Sequence, residues 1–265
     1  MKIKEIVSAL ERFAPLPLQD GFDNAGLQIG LTEVEATGAL LCLDVTEAVL
    51  DEAIALGHNL VISHHPLIFK GYKSITGKDY VERCILKAIK NDIVIYSAHT
   101  NLDNAYGGVN YKIAEKIGLK NLQVLEPKEN SLQDDLMQAG AGIVGELDEP
   151  ETELEFLKRI KKTFEVGCVR HNRLTGREIQ KVALCGGAGA FLLPQAIRAG
   201  ADVFITGEIK YHDYFGHEGD ILMVEIGHYE SEQYTKEIFY SIIRDLFPNF
   251  ALQSSKINTN PIKYL

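Results

Sequence analysis

Two histidines stand side by side in Val61-Ile-Ser-His-His-Pro-Leu-Ile-Phe69, at the end of an apolar run and directly before a proline. Neutral imidazoles suit first-row divalent metals, and a tandem pair at a strand end, with Pro66 stiffening the exit, can aim at points a few ångströms apart. Asp103 follows in Ser97-Ala-His-Thr-Asn-Leu-Asp-Asn104, just past another apolar run. A carboxylate there can bridge or charge-balance a dication; as an alternative, Asp103 or Asn104 caps a helix. His228 and Glu232 in Gly227-His-Tyr-Glu-Ser-Glu232 are four apart at the start of an expected helix, hence on one face. The competing reading is a solvated acidic first turn. Together His64, His65, Asp103, His228 and Glu232 form the expected metal-ligand set.

Three imidazoles and two carboxylates are more than one catalytic zinc takes from protein, so two divalent ions are expected, with water in the remaining positions. Zn, Fe, Mn, Co and Ni all fit such donors. Glu232 is the expected bridge, with Asp103 as its rival. A pair of this kind brings the deprotonation of bound water near neutral pH and supplies a nucleophile for carbon or phosphorus. His99, on the same loop as Asp103, and Glu208 and His212 in Thr206-Gly-Glu-Ile-Lys-Tyr-His212 are the candidate catalytic residues, for substrate contact or proton transfer. Support of the metal ligands is the equal alternative for all three. Of the other histidines, His58, His171 and His217 read as structural or simply exposed.

Positioning these side chains needs strand ends. Short apolar runs at Ala39 to Leu43, Leu60 to Ser63, Ile93 to Ser97, Val182 to Cys185, Val203 to Thr206 and Ile221 to Ile226 alternate with amphipathic stretches at Glu47 to Leu56, Tyr80 to Lys90, Pro194 to Ala199 and Ser231 to Leu246. An amphipathic helix from Ile3 to Phe13 precedes them, ended by Pro15 and Pro17. The alternation predicts an α/β fold with largely parallel, doubly covered sheets.

The order recurs. Ala39-Leu-Leu-Cys-Leu43, Asp51-Glu-Ala-Ile-Ala-Leu-Gly57 and His58-Asn-Leu-Val-Ile-Ser-His-His65 have counterparts in Val182-Ala-Leu-Cys185, Pro194-Gln-Ala-Ile-Arg-Ala-Gly200 and Ala201-Asp-Val-Phe-Ile-Thr-Gly-Glu208. The expectation is two similar α/β lobes from a divergent duplication, residues 1–126 with 247–265 returning to the first, and 127–246 in the second. Ligands of open α/β sheets gather beyond the C-terminal strand ends, so the cleft between the lobes is the candidate site. Pro127 to Gln138 is polar and acidic and marks the boundary; a small strand-helix-strand piece is expected over Ala139 to Leu147, about Glu151 to Phe164, and Glu165 to Val169.

Two glycine patterns carry less. Gly140-Ala-Gly-Ile-Val-Gly145 fits Gly-x-Gly-x-x-Gly but does not run directly into a helix, which speaks against a dinucleotide site. Gly186-Gly-Ala-Gly189 lies between a strand and a helix without the Walker lysine, and reads as a tight turn lining the cleft.

Composition narrows the partners. The 265 residues are 46% hydrophobic with a net charge of -10, and no long Lys/Arg run occurs, which argues against nucleic acid. No apolar run approaches a membrane span, so no membrane partner is expected. The N-terminus lacks a signal-like segment, and the four cysteines, Cys42, Cys84, Cys168 and Cys185, are dispersed. The expected location is the cytoplasm, with reduced cysteines in the core.

Asp23-Asn-Ala-Gly-Leu-Gln-Ile-Gly30, Leu43-Asp-Val-Thr46, Ser63-His-His-Pro66, Ser97-Ala-His-Thr-Asn-Leu-Asp103, Gly227-His-Tyr-Glu-Ser-Glu232 and Asn258-Thr-Asn-Pro-Ile-Lys-Tyr-Leu265 resemble, from end to end, the Nif-three-like family. Its bacterial members are commonly filed as GTP cyclohydrolase 1 type 2 homologues or dinuclear metal centre proteins. The resemblance implies a two-lobed α/β protein with a dimetal site on the same five ligands, assembled as a toroidal homohexamer. Phe22 departs from the tryptophan that many relatives carry, and the extra domain inserted in some relatives has no room here. The function implied is a metal-dependent hydrolase acting on a small molecule such as a nucleotide, opening a purine ring by metal-bound hydroxide. A metallophosphoesterase acting on nucleotides and a non-catalytic metal-binding scaffold are the alternatives.

Overall fold

The structure is a computed structural model that describes residues 1–128, 139–217 and 219–265. Residues 129–138, most of the acidic stretch read as the lobe boundary, lie outside the described residues. The chain divides into two compact units, Met1–Leu102 with Thr235–Pro261, and Asp103–Tyr234 with Ile262–Leu265.

The first unit opens with α1 (Ile3–Phe13), whose buried Ile3, Ile6, Val7 and Leu10 recur at helical spacing. Its sheet holds β1 (Gly26–Ile29), β2 (Ala39–Cys42), β3 (Leu60–Ser63), β4 (Val94–Ser97) and β11 (Leu252–Ser254), in the order β1-β4-β3-β2-β11. The pairings β11 with β2, β2 with β3 and β3 with β4 are parallel, and β1 is antiparallel to β4. Every residue of β2, β3 and β4 is buried, which is why these strands read as unbroken apolar runs rather than as alternations. Between them come α2 (Glu47–Leu56) and α3 (Tyr80–Lys90). Thr46 caps α2 by accepting from the Val49 amide, and Gly57 ends it in the left-handed conformation.

After α4 (Thr100–Asn104) and α5 (Val109–Ile117), the second unit builds a six-stranded sheet from β5 (Lys120–Pro127), β6 (Gly140–Thr152), β7 (Arg170–His171), β8 (Glu178–Cys185), β9 (Val203–Thr206) and β10 (Leu222–Glu225). The order is β5-β6-β8-β9-β10-β7, with β8, β9 and β10 parallel and the outer strands antiparallel to their neighbours. The helices α6 (Glu153–Thr163), α7 (Leu193–Arg198) and α8 (His228–Glu232) belong to this unit, and α9 (Thr235–Leu246) to the first.

Several expectations shift. The units divide after residues 102 and 234 instead of 126 and 246. On one side α5 packs on β6 and β8, and β5 pairs with β6; on the other α9 packs on α1, β2 and β11. The helix read as Ser231 to Leu246 is two helices, because Tyr234 is held in the second unit by Thr163 and Lys116 while Ile238, Phe239 and Ile243 bury with the first. Glu165 to Val169 is not a strand; the strand is Arg170–His171, at the sheet edge beside β10. The Gly140 to Gly145 pattern lies inside β6, where a β-carbon on Gly145 would meet the Lys120 carbonyl oxygen at 2.9 Å, so these glycines serve strand pairing. Of the cysteines, Cys42, Cys84 and Cys185 are buried and Cys168 is exposed; all are free. Among the described residues no helix is long and apolar enough to cross a membrane.

Candidate metal centre

In the first unit the register does the positioning. Ser63 at the end of β3 is paired with Cys42 of β2 and Ser97 of β4, so three parallel strands end at one level. The residues that follow, Asp44, His64, His65 and His99, therefore emerge side by side. The ladder runs slightly further, with the His64 amide donating to the Cys42 carbonyl, that of His65 to Leu43, and that of Ala98 to Ser63. The rings of His64 and His65 lie 4.9 Å apart, His64 and His99 5.2 Å, and His65 and His99 5.5 Å. One nitrogen from each falls within 4.8 Å of the other two.

Each ring is held through Nδ1. His64, wholly buried, donates to the Ala98 carbonyl at 2.9 Å. His65 meets Asp44 Oδ1 at 2.7 Å and His99 meets Asp23 Oδ1 at 2.7 Å. A neutral imidazole that donates through Nδ1 carries its lone pair on Nε2, the nitrogen a metal takes. Both carboxylates are built to stay ionised. Burial would raise Asp23, but hydrogen bonds from His99 and Thr100 outweigh it and bring the pKa down to about 2. Burial likewise opposes ionisation of Asp44, and the hydrogen bonds from His65 and the Thr259 hydroxyl hold that carboxyl below its ordinary value.

The second unit repeats the levelled strand ends. Cys185, Thr206 and Glu225 are register partners across β8, β9 and β10, which aligns the segments from Gly186, Gly207 and Ile226. His228 begins α8, and Glu232, buried, follows one turn later on the same face. His228 Nδ1 lies 2.8 Å from Glu208 Oε1, and its Nε2 lies 3.1 Å from Glu232 Oε2. With bonds of about 2.0–2.2 Å from each donor, a separation near 3 Å is that of two neighbouring ligands on one ion.

Close backbone packing frames Glu232. Gly186 donates to Asn110 Oδ1 at 2.9 Å, Asn110 donates to the Asp103 carbonyl at 3.0 Å, and Gly187 donates to Ser231 Oγ at 3.0 Å. The glycine turn after β8 thus fixes both the segment bearing Asp103 and the helix bearing Glu232.

Of the residues singled out as catalytic, His99 lies within the cluster of His64 and His65, where its nitrogen is a further potential ligand. Glu208 orients His228. His212 is exposed beside Tyr211 and Phe215, at ring distances of 5.2 and 6.1 Å, and belongs to no cluster of ligand atoms among the described residues. Asp23 and Asp44 went unassigned in the sequence, although Asp44 stands at the end of β2 as His64 stands at the end of β3. A strand-end carboxylate was the signal that could have found it. The donor set fits divalent metal: imidazoles held through Nδ1, which places the lone pair of the neutral ring on Nε2, and carboxylates near them.

Comparison with known proteins places the chain in a family. A family model described as Duf34/NIF3 (NGG1p interacting factor 3) matches residues 1–261. The GTP cyclohydrolase 1 type 2 homolog of Clostridium perfringens is 38% identical, over 88% of this chain and 87% of its own, and that of Lactococcus lactis is 34% identical, over 98% of each. The crystal structure of Staphylococcus aureus hypothetical protein SA1388 is similar with a TM-score of 0.91 and 32% identity, covering 100% of this chain and 99% of that one. A Bacillus cereus protein related to NIF3 has a TM-score of 0.90 at 28% identity, with 100% and 99% covered. The chain belongs to the Duf34/NIF3 family.

Proposed function

We propose that this chain is a metal-dependent hydrolase whose centre draws His64, His65 and His99 together with Asp103, His228 and Glu232 around two divalent ions. The observation that carries the reading is uniform: His64, His65, His99 and His228 are each tied through Nδ1 to an oxygen, so all four present Nε2 as the ligand nitrogen. A structural role alone does not ask four separate histidines for one tautomer. Bound divalent ions supply Lewis acidity, which makes water nucleophilic near neutral pH.

The protein's part is to hold the ligands at fixed angles. Asp23, Asp44 and Glu208 each carry negative charge to the far side of an imidazole, which raises its basicity toward a cation. Glu232 is the proposed bridging carboxylate, and the buried surroundings that Gly186 and Gly187 make for it keep it from rotating into solvent.

The name borne by the relatives suggests purine-ring opening with formate release as the reaction. A homohexamer is the proposed assembly, which light scattering of the purified protein checks. The reaction test is an assay of GTP ring opening by formate release, beside a phosphodiester assay, with metal-loaded wild type and His65→Ala. Metal-dependent turnover present in the wild type and lost in His65→Ala supports a hydrolase, and the responding substrate names the reaction. Equal background in both proteins with both substrates overturns it.

A further inference from the structure

The second unit has a pocket of about 600 Å³ that the metal chemistry does not use. Its floor is the edge strand β7 and the segment after it; its wall is the turn Tyr211–Tyr214 with Phe215. The volume lies in the range of small-molecule sites, roughly 300–1,000 Å³.

The lining carries two chemistries and lacks a third. Tyr211 and Phe215 are 69% and 57% exposed, with ring centroids 5.3 Å apart, an aromatic surface left in water. Arg170 and Arg173 both face the pocket, but they are not equivalent. Arg170 is paired with Glu225 at 2.7 Å and lies 5.8 Å over the Tyr214 ring, whose hydroxyl donates to the same carboxylate at 3.1 Å. That arginine is neutralised and structural. Arg173 has no carboxylate partner among the described residues, and no acidic side chain is among the residues lining the pocket. The backbone that carries Arg173 is fixed from one side, because Asn172 donates to the Ile221 carbonyl at 3.0 Å and accepts from the Met223 amide at 2.9 Å. His171 stands beside it, its Nδ1 tied to the Asn172 carbonyl.

We propose that this pocket binds a small aromatic phosphate, with the ring system on Tyr211 and Phe215 and the phosphate on Arg173. Stacking on an aromatic face is indifferent to the identity of a base, and a guanidinium fork matches phosphate oxygens in pairs. Neither group alone explains the pocket. An exposed aromatic pair without the arginine would suit any apolar contact, and a lone arginine would suit any anion.

The test uses the full chain treated with chelator, so that no metal-borne site contributes, and titrates it calorimetrically with AMP, adenosine and inorganic phosphate. The expected result is saturation by AMP below about 1 mM, with adenosine and phosphate each weaker. Arg173→Glu and Tyr211→Ala are each expected to weaken AMP about tenfold, with far-UV circular dichroism unchanged because both side chains are exposed. Absence of saturation by AMP in the wild type overturns the proposal, as does AMP binding by either variant as tight as that of the wild type. Phosphate binding as tightly as AMP also overturns it, since the aromatic wall would then contribute nothing. The metal-dependent assay does not enter, so this proposal and the hydrolase reading fail separately.

Discussion

Gly187 lies against the carboxylate of Glu232 so closely that a β-carbon would overlap Oε1, and its φ is +60°. The left-handed backbone alone costs a side chain about 1–2 kcal/mol, and here the added methyl must also displace a proposed metal ligand. Gly187→Ala is therefore expected to lower bound metal well below stoichiometry, measured by elemental analysis of the purified protein. Gly200→Ala is the control, with φ at +70° and nothing within 4 Å of its β-carbon. Metal loss in both variants alike would show that backbone strain, not contact with Glu232, is responsible.

Glu208 stands 2.8 Å from His228 Nδ1, and its action is on the ring, not on the metal. Removing such an orienting carboxylate costs about 10–100-fold in metal affinity. Glu208→Ala is expected in that range by competition against a colorimetric chelator. Glu208→Gln, which keeps an acceptor oxygen for the Nδ1 proton, should lose less. Equal affinity for Ala, Gln and wild type would remove Glu208 from the centre.

How far the sequence reveals these relations depends on whether they are local. Leu60 to Ser63 and Val203 to Thr206 were legible because strands buried on both faces are unbroken apolar runs, and His64, His65, His228 and Glu232 because their spacing is local. Asp23 and His99 are 76 residues apart, and their 2.7 Å contact follows from β1 pairing with β4, which no local pattern announces. The strand β5 was equally silent: its residues are mostly exposed or half-buried, since it is an edge strand, and they show no periodicity. The break before α9 was hidden because a continuous amphipathic stretch reads the same whether it packs on one unit or passes between two.

Glu82, which is in none of the candidate ligand clusters among the described residues, offers a test of stability. Its carboxylate is buried and accepts from the Thr76 amide at 2.7 Å, the Lys78 amide at 2.9 Å and the Thr76 hydroxyl at 3.1 Å, closing the loop that leads into α3. The Lys78 and Thr76 amides hold its pKa below the ordinary 4.5. A depressed folded pKa means stability that is present above the unfolded value and lost as pH falls through the folded one. Glu82→Gln should thus melt below wild type at pH 7, and the gap should close as pH drops below 4.5. A gap of constant size across that range would contradict the assignment.

Removal of metal should destabilise the protein, because an ion that binds only the folded chain stabilises it by mass action. At a free-metal concentration of a hundred times Kd the gain is about 2.7 kcal/mol, and for a chain of this size about 2–4 °C in Tm follows each kcal/mol. Chelation is therefore expected to lower the melting temperature by about 5–10 °C, and added metal to restore it. His64→Ala and Glu232→Gln each remove a proposed ligand, so each alone should reduce the response to metal. If Glu232→Gln responds as wild type does while His64→Ala does not, the ion belongs to the three histidines of the first unit, and the centre shared by six side chains is wrong.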